Sequence, residues 1–233
     1  MFSDSLTRWI LLDFDNSLMA TERLTVPLLI ERFNALYKEY ITDPLTESCF
    51  YAKFHGKTKK SLCEHLSDYF KIHVKYEDLY HEREHMVINV FRKNCVEMAN
   101  NVIETLTIAR QRYKLALVTN SALFRVFSAM RWAKNKRGEE LAKLFGTSFF
   151  ESGNTPKPLP DVYFFAMNEL RTLPMQCLAV EDSVTGAKAS IGAGITTFGY
   201  TGFSSDCQRS SEQLKAVGVK ECFEDWEQFL NLI

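Results

Sequence analysis

No Cys-x-x-Cys pair occurs in the chain, although six cysteines are spread along it: Cys49, Cys63, Cys95, Cys177, Cys207 and Cys222. Over 233 residues, that spread excludes a compact disulfide framework and reads as reduced, mostly buried thiols. The chain also lacks an excess of charge: 28 basic residues against 29 acidic ones leave a net charge of -1. This removes the electrostatic reason to expect a nucleic acid or a membrane surface as partner. No run of about 18 apolar residues exists, so no membrane-spanning helix is expected. The opening MFSDSLTRW has no basic segment followed by an apolar one, so no secretory signal is read and the cytoplasm is the expected compartment. Internal repeats and low-complexity segments are missing too. What remains is 46% hydrophobic and 24% charged, enough for one large globular domain or a domain with a sizeable insert, read as a monomer.

From about residue 114, short apolar runs alternate with amphipathic segments. Strands are expected at Lys114–Val118, Ser148–Glu151, Cys177–Val180 and Ile195–Gly199, with Arg8–Leu12 as an earlier buried one. Helices are expected near 122–135, 161–171 and 184–192. Such alternation predicts an α/β fold, a doubly wound parallel sheet covered on both faces by helices. Residues 20 to about 99 carry a different pattern. Val26, Leu29, Phe33, Leu36 and Tyr37 recur at helical spacing, and similar patterns run through 61–70 and 77–98. This predicts a smaller α-helical cap, 18–99, inserted into a core made of 1–17 and 100–233.

Ligands of open parallel sheets bind outside the carboxyl ends of the strands. In "LLDFDNSL" the first strand ends on Asp13, with Asp15 in the turn beyond. The strand LALV ends on Thr119-Asn120, and CLAV ends on Glu181-Asp182; Lys157 follows the FFE strand after a short loop. A parallel sheet brings these carboxylates, hydroxyl and ammonium to one edge. Clustered carboxylates repel and call for a cation, and oxygen ligands favour Mg²⁺, which retains positions for phosphate oxygens and water. A carboxylate can attack phosphorus, and a second acid two residues away can carry the proton.

"DFDNSL", "LVTNSA", "TPKPLPD" and "VEDSVTGAKASIGAG" resemble, in order, the four motifs of the haloacid dehalogenase-like hydrolase superfamily, with its Rossmann-like core. The helical insert after the first motif is similar to the cap of the phosphoglucomutase- and phosphatase-like branch. The resemblance implies Asp13 as nucleophile and metal ligand, and Asp15 as general acid/base whose carbonyl also meets Mg²⁺. It implies that Thr119 and Asn120 bind the phosphoryl group, that Lys157 neutralises it and orients Asp13, and that Asp182 is a metal ligand with Glu181 in the outer shell. Asp15 itself favours phosphate esters, because dehalogenases and phosphonatases lack this second acid. The family most often has Gly-Thr where this chain has Asn16-Ser17; Asn tolerates positive φ better than most residues.

The function expected is a Mg²⁺-dependent phosphatase of small phosphomonoesters, sugar phosphates ahead of nucleoside monophosphates, acting through an aspartyl-phosphate. The alternatives are a phosphomutase and a non-catalytic member of the fold that binds a phosphorylated ligand or a protein. The basic run Lys53–Lys60 is read either as a solvated cap surface or as a loop whose Lys57 or Lys59 meets the substrate. A competing pattern, His81-Glu82-Arg83-Glu84-His85 with Glu104 downstream, matches H-E-x-x-H and would place zinc on a helix. A charged solvated helix face explains it more simply.

Overall fold

A computed structural model describes residues 8–54, 56–81 and 83–233. Six strands form one sheet: β1 (Trp9–Leu12), β2 (Lys114–Thr119), β3 (Phe149–Glu151), β4 (Cys177–Glu181), β5 (Thr196–Tyr200) and β6 (Cys222–Phe223). Their order is β3-β2-β1-β4-β5-β6, and every pairing is parallel. The five strands expected from sequence are present, within a residue or two at each end. β6 was not anticipated, because two residues are too short to carry an alternating pattern.

The central strands are apolar along their interiors because both faces are covered. Ile10, Leu12, Leu115, Leu117 and Val180 face one core cluster, and Leu11, Ala116, Val118 and Ala179 face the other. β1 lies at the centre with β2 on one side and β4 on the other, so the chain winds outward in opposite directions from it. That switch point leaves a crevice at the carboxyl edge, where β2 and β4 end on Thr119 and Glu181 and Asp13 directly follows β1.

Residues 20–99 are helical, as expected: Glu22–Tyr37, Glu47–Lys53, Lys59–Phe70, Tyr76–Tyr80 and Arg83–Asn94. Val26, Leu29, Phe33, Leu62, Leu66 and Leu79 join in a core of their own. The last of these helices is different: its Val87 and Phe91 pack into the cluster on the sheet face. The single helical stretch expected over 77–98 is broken near residue 81, and that over 122–135 ends at Arg131, with a separate helix at Gly138–Phe145. All six cysteines are free, but only Cys63 and Cys177 are buried, fewer than expected. Among the described residues no helix is long and apolar enough to cross a membrane.

Candidate active site

β1 delivers Asp13 to the carboxyl edge, where its amide donates to the Val180 carbonyl of β4 at 3.0 Å. The chain then turns at Asn16, whose φ of 54° is left-handed as the Gly-for-Asn comparison anticipated. The Asn16 side chain does more than tolerate this turn, since its Nδ2 donates to Glu22 Oε2 at 2.6 Å. Asp15 is held by two hydroxyls: Thr21 Oγ1 donates to its Oδ1, and Ser121 Oγ donates to its Oδ2 at 2.5 Å.

Lys157 is 2% exposed, and its ammonium is the hub of the site. Its Nζ donates to Asp13 Oδ1 at 2.7 Å, to Glu181 Oε1 at 2.7 Å and to the Val118 carbonyl at 2.8 Å. Tyr163 donates to the same Glu181 oxygen. The loop carrying Lys157 is fixed by Asn120, whose Oδ1 accepts from the Lys157 amide at 2.8 Å and whose Nδ2 donates to its carbonyl at 3.4 Å. Burial works against the ammonium, but the charges of Asp13 and Glu181 outweigh it, and Lys157 titrates above its ordinary range.

The acids show the opposite strain. Burial pushes the Asp13 carboxyl well above its ordinary value; Lys157 counters this, and the negative charges of Glu181 and Asp15 add to it. Asp182 is raised in the same way, by burial and then by Asp13. One carboxylate oxygen from each of Asp13, Glu181 and Asp182 falls within 4.8 Å of the others, the one such group among the described residues. Buried carboxylates this close resist ionising together, and a divalent cation relieves both the burial and the repulsion. The donor set therefore fits a hard, oxygen-preferring ion such as Mg²⁺.

A cavity of about 530 Å³ opens over these groups, bounded by the sheet edge and the helical insert. Asp13, Asp15, Asn120, Lys157, Glu181 and Asp182 all line it, and Lys57 and Lys59 line it from the insert. Thr119 does not. It is fully buried, and its hydroxyl accepts from the Ser121 amide at 3.0 Å. Ser121 and Tyr163 were not singled out from sequence; Ser121 stood in the quoted "LVTNSA", and Tyr163 sits two residues past "TPKPLPD".

Gly186 stands against Glu181. A Cβ there would lie 1.8 Å from Glu181 Oε2, while the other oxygen is pinned by Lys157 and Tyr163. Gly186→Ala is therefore expected to destabilise by about 1–3 kcal/mol through overpacking. It should also cut kcat/KM by displacing Lys157; thermal melting and steady-state kinetics of the variant check both effects. The H-E-x-x-H pattern does not form a zinc site. His81 lies in the break ahead of the Arg83–Asn94 helix, so the two histidines do not share a helical face. Glu104 is paired with Arg137 at 2.5 Å, and Glu82 lies outside the described residues.

A family model described as "Haloacid dehalogenase-like hydrolase" matches residues 10–200. The protein CbbY of Cereibacter sphaeroides is 23% identical over 197 residues, 83% of this chain and 84% of that one. A conserved haloacid dehalogenase-like protein from Agrobacterium tumefaciens superposes with a TM-score of 0.77 at 18% identity, covering 97% of both chains. A CbbY variant from Rhodobacter sphaeroides, in complex with xylulose-(1,5)bisphosphate, has a TM-score of 0.72 at 20% identity, covering 94% of this chain and 95% of that one. At these identities the superpositions establish the shared fold.

Proposed function

The chain belongs to the haloacid dehalogenase-like hydrolase family, and from that premise we propose that it is a Mg²⁺-dependent phosphatase of small phosphomonoesters, sugar phosphates first among them. The observation that carries this reading is the convergence of Asp13, Asp15, Lys157 and Asp182 in one cavity at the sheet's carboxyl edge. A binding module has no use for a general acid beside a buried nucleophile. The xylulose-(1,5)bisphosphate complex of the CbbY variant supports the sugar-phosphate class.

In the proposed reaction a carboxylate oxygen of Asp13 attacks phosphorus as the ester P–O bond breaks. Asp15, held in place by Thr21 and Ser121, gives its proton to the departing alkoxide. Asp15 then takes a proton from water as that water attacks the aspartyl-phosphate, releasing phosphate and restoring Asp13. Lys157 orients Asp13 and offsets charge on the phosphoryl oxygens, and Asn120 keeps the Lys157 loop in register. Asp13, Asp182 and the Asp15 carbonyl would hold Mg²⁺, with Glu181 behind them; bound there, the ion screens the phosphoryl oxygens and the acids.

We assign 18–99 as a cap domain over a core of 1–17 and 100–233, with Lys57 and Lys59 touching the substrate. Cap and core meet where the Thr185 hydroxyl donates to the Gly56 carbonyl, a contact that supports closure over the cavity. The free cysteines suit a reducing, cytoplasmic setting.

A screen of small phosphomonoesters with Mg²⁺, reading both free phosphate and sugar isomers, tests the reading. Accumulation of an isomer would make the protein a mutase, and no turnover of any ester would end the phosphatase assignment. Mg²⁺ alone is also expected to raise the melting temperature. At about 100 times its Kd it should add about 2.7 kcal/mol, and Asp182→Asn should abolish most of that gain.

A further inference from the structure

Two arginines line the cavity that the reaction above does not use. Arg83 opens the helix Arg83–Asn94, and Arg125 lies in the first turn of the helix Leu123–Arg131 that follows β2. These helices pack against each other. Their first turns are joined by an ion pair, with Glu84 Oε2 3.4 Å from Arg125 Nε. Arg125 is only 8% exposed. The Nε atoms of both arginines are buried without a hydrogen-bond partner among the described residues, and so is Glu84 Oε2. A buried guanidinium N–H left unpaired is costly, and a charged one more so.

The local charge is unbalanced in the same direction. Lys59, also on the cavity wall, shares Glu84 at 3.5 Å. Among the described residues, two cations, Arg125 and Lys59, thus share one carboxylate, and Arg83 stands close enough to feel the charge of Arg125. Burial lowers the Arg83 pKa, and the like charge of Arg125 lowers it further. The first turns of both helices add the positive ends of their dipoles. The same cavity is lined by the acids that call for a metal, so it holds groups suited to a metal and an ester phosphate together with cations suited to a further anion.

We propose that Arg83 and Arg125 form a second anion subsite, which selects phosphomonoesters that carry a further oxyanion, a second phosphate or a carboxylate. This rests on the phosphatase reading and narrows its substrate class. Glu84 is placed as the anion that partly neutralises Arg125 until the ligand arrives, so its removal should strengthen the site.

The test is calorimetric binding with Mg²⁺ in the Asp13→Asn background, which prevents turnover. Fructose 1,6-bisphosphate is compared with fructose 6-phosphate, and 3-phosphoglycerate with glycerol 3-phosphate. At least one pair should favour the doubly anionic member by about tenfold or more, the worth of one or two charge-assisted hydrogen bonds; which pair does so identifies the oxyanion. Arg83→Gln with Arg125→Gln should reduce that ratio to near one, and Glu84→Gln should raise it. Arg125→Lys, which keeps charge and bulk, should retain part of it. The subsite is overturned if both pairs bind without discrimination, if nothing binds, or if the ratio survives the double variant. Failure of the phosphatase reading shows separately, as absent phosphate release from p-nitrophenyl phosphate by the unmodified protein.

Discussion

Asp13→Asn is expected to lower phosphate release by at least about 10³-fold, the scale of losing a covalent nucleophile. The substitution keeps shape and keeps an oxygen that can accept from Lys157 Nζ, now 2.7 Å from Asp13 Oδ1. Loss of activity should therefore come without loss of fold. Stability should move the other way in metal-free protein. Burial raises the Asp13 pKa above that of the unfolded chain, so the folded state binds the proton more tightly. Such a group favours folding below the unfolded pKa of about 3.9 and loses that contribution as pH rises through the folded value. An uncharged Asn escapes this loss, and the variant should melt higher than the parent in EDTA, by a margin that widens as pH rises from about 4. Assays with Mg²⁺ paired with melts in EDTA check both parts. Activity within tenfold of the parent would remove Asp13 as the nucleophile.

Lys157→Met should have the largest effect on stability. It removes the one ammonium that satisfies Asp13, Glu181 and the Val118 carbonyl together. Breaking a buried ion pair from one side costs about 3–5 kcal/mol, because the charge left behind has no partner. For a chain of this size that corresponds to roughly 6–20 °C in melting temperature. The sign with pH is fixed by the two partners. Lys157 has a raised pKa, so it stabilises below the unfolded lysine value of about 10.4 and fades only as pH climbs through its higher folded value. The deficit of the variant should thus be full at neutral pH and shrink on acidification, as Asp13 takes up a proton. Urea unfolding across pH in EDTA measures it. A deficit below 1 kcal/mol would mean that Lys157 is not the counter-ion that holds the site together.

The interior of the sheet was legible without coordinates. Runs such as WILL and the LALV of the second strand are apolar at every position, and a strand covered on both faces is what buries such a run. The acids at the ends of β1 and β4 were legible for a related reason: a polar group directly after a buried run must sit at the sheet's edge. Boundaries within the helical insert were less so, because Tyr76–Tyr80 and Arg83–Asn94 share one periodicity and the break between them leaves no sequence signal. β6 was invisible at two residues, and Tyr163 looked like one more aromatic on a packed helix until its hydroxyl was seen on Glu181.

By itself, then, the order of residues determined the parallel α/β core, the helical insert and the set of acids and lysine at the strand ends. Those follow from local burial patterns, which each segment carries alone. Only the tertiary structure decided which partners those groups have. It put Ser121 rather than Thr119 on the cavity wall, where the Ser121 hydroxyl meets Asp15 while Thr119 is fully buried and accepts from the Ser121 amide. It also joined Arg83 to Arg125 across 42 positions of chain, a juxtaposition that depends on how two helices cross and that no spacing along one helix encodes.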